Sequence, residues 1–319
     1  MQKIKVGVLR GGPSSEYDIS LKTGGSVLKN LSEEKYEKSD IFISRDGEWH
    51  LRGIPVAPEK IVKQIDVVFN AMHGEYGEDG TVQKLLDTFS IPYTGSRAFS
   101  SVVGMNKLMT KQGIEDYDIG TPEYTVVESS EDLEKDIFNI FRSFPMPSVV
   151  KPLVGGSSVG VTIARDYESL REGVYKALEY SPKVLIEEYI RGREATCGVI
   201  EGFRGEEIHA LMPVEIIPPE KSEFFDYNAK YSGETQEVCP APFERVIKEE
   251  IQRLAIEAHK ALGFRHYSRS DFIISPRGIY FLEANSLPGL TEESLFPKAL
   301  SAGGTTLPEF LDHLVKLAL

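Results

Sequence analysis

The sequence predicts an α/β protein, α+β in part, and three stretches carry that prediction. Near the start, the apolar run Ile4 to Leu9 ends at Gly11-Gly12-Pro13, and helical spacing follows from Asp18 to Leu31, the pattern of strand, glycine turn and helix. In the middle, strand and helix patterns alternate from Tyr124 to Glu179. Near the end, Tyr267 to Ile274 and Ile279 to Asn285 are rich in aromatic and β-branched residues. They flank Pro276-Arg277-Gly278 and read as a hairpin with a three-residue loop.

With 319 residues, the chain is long enough for two or three domains and a substantial core. Its 41% hydrophobic and 27% charged residues are those of a soluble globular protein. The net charge of -13 argues against a general binder of nucleic acid or anionic membrane, which needs a lysine and arginine surplus. No apolar run approaches the roughly eighteen residues of a membrane span, and the opening MQKIKVGVLRGG reads as a first strand, not a signal peptide. Cys197 and Cys239 are the only cysteines, without a CxxC or a histidine pair, so neither a disulfide framework nor a zinc site is indicated. A cytoplasmic protein is the expectation.

Taken in order, the glycine turn GGPSSE lacks the third glycine of a dinucleotide fingerprint but offers Glu16 beside a helix start, where a helix-dipole role is the simpler reading. Asp40 to Ser44 and Glu48 to Leu51 flank Arg45-Asp46-Gly47 as a hairpin. Ile65 to Ala71 is a buried strand running into HGEYGEDG, whose three glycines let backbone approach a ligand closely. Asp79 caps a helix from Gly80 to Thr88, and Ile91 to Thr94 completes the first unit. A helix from about Arg97 carries Lys107, for which solvation is as good a reading as phosphate contact.

The middle unit runs strand (Tyr124 to Val127), helix (Glu131 to Phe141), strand (Ser148 to Pro152), loop, strand (Val159 to Ala164) and helix (Tyr167 to Glu179). Its loop, Leu153-Val154-Gly155-Gly156-Ser157-Ser158, is no Walker loop, so phosphates would be held by loop N–H groups and by Lys151 at the end of the preceding strand. Lys183 to Ile190 is a strand in which Glu187 and Glu188 face opposite ways, with Glu194 to Ile200 expected as its neighbour. Pro218 to Pro242 is long and aperiodic, and its cluster from Phe224 to Tyr231 favours a functional loop. Glu244 to Leu262 is the clearest amphipathic helix, and Thr306 to Leu317 closes the chain as another.

In the late hairpin, a three-residue loop pairs Ser275 with Ile279, and counting outward sets Asp271 across from Glu283. Opposed carboxylates repel on a sheet face, and Asn285 lies on the same face, two residues on. A hard cation such as Mg²⁺ removes the repulsion and fills its other positions with water and nucleotide phosphate. The hairpin is therefore predicted to be a Mg-nucleotide site.

GGPSSE, HGEYGEDG, MNK, VVKPLVGGSSVGV, EEYIRGRE, DYNAKY, TQEVCPA, RSDF and EANSLPGLTEESLFP, in this order, resemble the D-alanine:D-alanine ligase family of the ATP-grasp superfamily. They span nearly the whole chain. The resemblance implies a three-domain ATP-grasp fold: a Rossmann-like parallel-sheet domain (1–104), then two antiparallel-sheet domains (105–184 and 185–319) that clamp ATP. It implies ATP-dependent joining of two D-alanines for peptidoglycan synthesis, and a homodimer. By position, Lys107 and Lys151 would contact phosphates, Glu187 the adenine edge and Glu194 the ribose. Asp271, Glu283 and Asn285 would hold two Mg²⁺, with Mn²⁺ as a substitute. Glu16 would fix the first amino group, with His73 nearby. Ser157, Lys230 and Tyr231 would close loops over the site. Arg269 and the Gly289 N–H would stabilise the oxyanion, and Ser294 and Leu295 would hold the second carboxylate.

Tyr17 and Gly155 depart from the family pattern and blur the first-substrate pocket. Tyr231 goes with dipeptide formation, where phenylalanine goes with D-lactate, so a D-alanine:D-lactate ligase is the weaker enzyme reading. A ligase of the same fold for other amino acids and a non-catalytic nucleotide binder are the remaining alternatives.

Overall fold

Three sheets organise the computed structural model, which describes residues 3–156, 158–219 and 235–319. In the first, β1 (Ile4–Gly11) runs parallel to β2 (Tyr36–Ile43) and β5 (Val67–Asn70), while β3 (Trp49–Leu51) and β4 (Ile54–Pro55) extend the β2 side antiparallel. The middle of β1, Val6 to Leu9, is continuously apolar because both its faces are covered there. Val6 and Val8 pack with Val27 of α1 (Tyr17–Asn30) and with the helix Leu307–Ala318, whereas Leu9 packs with Ile41, Trp49 and Val68 on the other side. Gly11 ends the strand at φ +91°, and a Cβ there would stand 2.2 Å from the Ile43 carbonyl, so only glycine fits.

After α2 (Pro58–Ile61) and α3 (Thr81–Thr88), the helix expected from about Arg97 through Lys107 is in fact two, α4 (Ala98–Met105) and α5 (Lys107–Ile114). Asn106 separates them. Its backbone is extended and its Oδ1 accepts the N–H groups of Leu108 and Met109, both at 3.1 Å, which starts a new helix with Lys107 as its first residue.

The second sheet is antiparallel, in the order β6 (Tyr124–Glu128), β9 (Lys183–Glu188), β7 (Ser148–Pro152), β8 (Thr162–Ala164), with α6 (Leu133–Ser143) and α7 (Tyr167–Leu178) on one face. Strand alternation decides which side chains meet those helices. Val150, Val184 and Ile186 join Ile137, Leu170 and Val174 in the core, and Val149, Lys151 and Glu187 face the other way.

The third sheet orders β13 (Gln236–Val238), β12 (Val214–Ile217), β10 (Arg193–Glu201), β14 (Tyr267–Ser275) and β15 (Gly278–Asn285), with β11 (Ile208–Ala210) also pairing β10. β10 is therefore not the neighbour of β9 that the sequence led us to expect. Both edges of β9 are taken by β6 and β7, and the turn around Gly192 carries the chain into the next sheet. The division expected after residue 184 falls inside β9. One face of this sheet packs Ala195, Cys197, Val199, Phe272 and Phe281 against the helix Arg245–Ala261. The rings of Phe272 and Phe281 meet edge-on at 5.8 Å, a contact worth about 0.5–1.5 kcal/mol beyond the area it buries.

Residues 265–266 tie the first sheet's last turn to the third sheet. Arg265 donates to the carbonyls of Tyr93 (2.9 Å) and Gly95 (3.0 Å), and the Gly95 N–H donates to His266 Nδ1 (3.1 Å). Burial pushes the His266 pKa down to about 3, so the ring is neutral and free to accept that bond. Among the described residues no helix is long and apolar enough to cross a membrane.

Candidate active site

The β14–β15 hairpin sets Asp271 opposite Glu283 by a different route from the one the sequence suggests. The turn is one residue tighter: Ser275 pairs with Gly278, and Ile274, Ile273 and Phe272 pair with Ile279, Tyr280 and Phe281. A bulge at Leu282 then absorbs the extra residue. Regular alternation would turn Glu283 to the same side as Phe281, into the core. The bulge makes Leu282 and Glu283 both face the cavity, while Ala284 returns to the core. Arg269 shares the face of Asp271 and grips it with two bonds, Nε–Oδ1 2.9 Å and Nη2–Oδ2 3.0 Å, and Thr196 Oγ1 donates to Oδ1 at 2.6 Å. Burial disfavours the charged guanidinium, but Asp271, Glu283 and Glu78 outweigh it and raise the Arg269 pKa further. Asn285 Oδ1 accepts the Leu287 N–H at 2.9 Å, which fixes the amide's orientation.

Between the second and third sheets lies a cavity of about 790 Å³. Its walls are apolar where Val149, Ile216, Ile273 and Leu282 face it, and its charged lining includes Glu16, Lys107, Lys151, Glu187, Glu194 and the two hairpin carboxylates. Lys107 is buried and donates to the Gly155 carbonyl at 2.7 Å, so the solvated reading of this lysine is wrong; as the first residue of α5 it is turned inward. Glu187 is 2% exposed and takes Lys151 on Oε2 (2.5 Å) and Lys111 on Oε1 (2.7 Å). Burial pushes this carboxyl up, but Lys151 and Lys111 together hold it below the usual carboxylate range. Glu188 pairs instead with Arg277 at 2.7 Å.

A second cavity of about 290 Å³ opens from the first toward α1. His73, Arg269 and Asn285 line it on one side, and Gly289, Ser294 and Leu295 on the other. Ser294 Oγ lies 2.8 Å from Thr291 Oγ1 and accepts the Thr291 N–H at 3.2 Å, so the loop after β15 is folded on itself around that hydroxyl. Burial lowers the His73 pKa, and its Nε2 meets Thr23 Oγ1 at 2.8 Å. Glu78 is buried beside it, accepts the Gly74 N–H at 2.6 Å, and has its pKa driven well up by burial and by the charge of Glu16. Four charged residues, Glu16, Lys107, Asp271 and Glu283, line both cavities and mark where they join.

All thirteen of the expected site residues that the structure describes line one cavity or the other. Ser157, Lys230 and Tyr231 lie outside the described residues. The sequence reading missed Lys111 and Glu78. Lys111 follows Lys107 by one helical turn, a spacing that could have flagged it, and Glu78 sits inside a glycine loop already marked as unusual. Among the described residues no group of three or more His, Cys, Asp or Glu is placed to hold a metal. The hairpin set is two carboxylates and an amide.

A parallel-sheet unit followed by two antiparallel sheets that face each other across a cavity lined by lysines and carboxylates defines an ATP-grasp enzyme. Family profiles for the D-ala D-ala ligase N-terminus match residues 5–60 and 53–96, and that for the D-ala D-ala ligase C-terminus matches residues 114–316. The chain is 38% identical to the D-alanine--D-alanine ligase of Syntrophobacter fumaroxidans, over 100% of this chain and 98% of that one. Among solved structures, the VanG D-Ala:D-Ser ligase of Enterococcus faecalis superposes with a TM-score of 0.87 at 29% identity and full coverage of both chains. The D-alanine-D-alanine ligase of Coxiella burnetii gives 0.84 at 27% identity, covering 100% of this chain and 94% of its own. The chain belongs to the D-alanine:D-alanine ligase family.

Proposed function

We propose that this chain is an ATP-dependent ligase that joins two D-alanines to D-alanyl-D-alanine through a D-alanyl phosphate, for peptidoglycan precursor synthesis. The observation that carries the reading is the junction of the two cavities at Glu16, Lys107, Asp271 and Glu283. A nucleotide in the larger cavity and an amino acid in the smaller one would bring a γ-phosphoryl group and a carboxylate together at that point. A carboxylate is a poor electrophile. One of its oxygens attacks the γ-phosphorus and ADP leaves; the neutral amine of the second D-alanine then attacks the carbonyl carbon, and the tetrahedral oxyanion collapses with loss of phosphate and of the amine proton.

The residues serve these steps by position and charge. In this reading Lys107 and Lys151 take phosphate oxygens, Glu187 the adenine amine and Glu194 the ribose. Lys111 and Lys151 against Glu187 leave one surplus positive charge in a buried cluster, which suits a phosphate. Asp271, Glu283 and Asn285 are hard oxygen donors, and the two carboxylates stand directly opposed, a set that fits Mg²⁺ or Mn²⁺. Two such ions, when bound, would offset charge on the phosphates. Arg269 and the Gly289 N–H aim at the developing oxyanion. Glu16, with His73 near, orients the first amino group, and Ser294 and Leu295 receive the second carboxylate. Ser157, Lys230 and Tyr231 would complete the enclosure that excludes water.

We further propose a first domain division near residue 104 and a second beyond the end of β9, and expect a cytoplasmic homodimer. Phosphate release from ATP and Mg²⁺ with D-alanine, D-serine or D-lactate, with products weighed by mass spectrometry, tests the function. Release that does not depend on D-alanine would overturn it.

A further inference from the structure

Lys111 is among the largest fully buried side chains of the protein, 1% exposed, and its charge is spent on neither substrate nor solvent. It rises from α5 onto the ligand face of the middle sheet, behind Glu187 as seen from the cavity. There its Nζ lies 2.7 Å from Glu187 Oε1 and 5.2 Å from the centre of the Tyr124 ring, the cross-strand neighbour of Glu187. The contact with Oε1 is close without being aligned as a hydrogen bond. Lys151 occupies the other oxygen, Oε2, at 2.5 Å. One carboxylate thus serves two ammonium groups, and only Lys151 borders the cavity.

We propose that Lys111 is a positioning residue that keeps Glu187 ionised when Lys151 moves to the nucleotide's phosphates, so that the freed Oε2 accepts the 6-amino group of adenine. The inference rests on the reading that Lys151 and Glu187 meet ATP. A phosphate at Lys151 would compete with Glu187 for its single positive charge, and the adenine amine needs the Oε2 that Lys151 now occupies. Without Lys111, its departure would leave a buried carboxylate with no counter-ion, and such a group takes up a proton instead of staying charged. A protonated Glu187 presents an O–H as well as an acceptor, and would meet a 6-oxo purine as readily as a 6-amino one. Lys111 therefore sets base selectivity from behind Glu187, through a charge that never touches the nucleotide.

The test compares ATP with inosine triphosphate, which carries oxygen at position 6, in the wild type and in Lys111→Met. The wild type should prefer ATP by about tenfold or more in kcat/KM, the range of a hydrogen bond to a charged acceptor. In Lys111→Met the preference should fall toward unity and the KM for nucleotide should rise, with the KM for D-alanine unchanged. Lys111→Gln, neutral but of similar length, carries the same comparison should the methionine variant not fold. A variant that keeps the wild-type ATP preference overturns the proposal for Lys111 and leaves the Glu187 reading intact. A wild type that does not distinguish the two nucleotides overturns the Glu187 reading and the proposal with it.

Discussion

Replacing Arg269 by alanine should nearly abolish turnover and leave the fold in place. The guanidinium holds Asp271 through two bonds of 2.9 and 3.0 Å on the cavity face of β14, so its removal touches no part of the apolar core. The fold loses a partly buried charge-assisted pair whose side chains are 17% and 19% exposed. Asp271 keeps its bond from Thr196 Oγ1, and a loss of about 1–3 kcal/mol is small against a stability of ~5–15 kcal/mol. Catalysis loses a fixed donor at the oxyanion, which costs about 3–4 kcal/mol, or roughly a hundredfold to a thousandfold in kcat. The assay is coupled ADP release with D-alanine at saturating ATP, beside a circular-dichroism melt. A folded variant within about threefold of wild-type kcat would refute the oxyanion role.

Three further outcomes follow from the same geometry. Glu283→Ala removes one of the two opposed carboxylates, and its residual rate should need a far higher Mg²⁺ concentration than the wild type; an unchanged Mg²⁺ dependence in a titration would contradict the metal assignment. Asn106→Ala removes the cap shared by Leu108 and Met109 and should lower stability by about 1 kcal/mol in urea melts, with the KM for ATP rising because Lys107 begins that helix. His266 is neutral in the fold, with a pKa near 3 against an ordinary 6.5, so the unfolded chain binds more protons between those values. Its stabilising contribution is complete above pH 6.5 and lost on acidification, by roughly 2 kcal/mol from pH 6.5 to 5. His266→Asn, which tolerates the φ of 71° at this position, should flatten that slope in urea melts at the two pH values.

Much of the fold was legible because alternation and glycine turns are local signals. β7 and the start of β14 lie where the apolar pattern ends them, and β1 stops at the glycine its turn requires. The pairing of Asp271 with Glu283 was reached from a loop one residue too long, and the bulge at Leu282 compensates; no local residue pattern announces such a bulge. The destination of β10 was illegible because adjacency in sequence says nothing of which sheet edges are already filled. Buried lysines are hard to read for a related reason. A lysine in a polar helix reads as solvated, and only the tertiary placement of Glu187 shows that Lys111 is buried. Glu78 was likewise one acid among several in a glycine loop, distinguished only once the Gly74 N–H is seen to meet it.

The two cavities bring the γ-phosphate of a nucleotide to one of two D-alanines that are then joined to each other. The stoichiometry of phosphate released to dipeptide formed, with ATP, Mg²⁺ and D-alanine and the dipeptide identified by mass, measures this directly. One phosphate should appear for each D-alanyl-D-alanine, and none when D-alanine is withheld. Hydrolysis of ATP without dipeptide, or D-alanine-independent release, would contradict it.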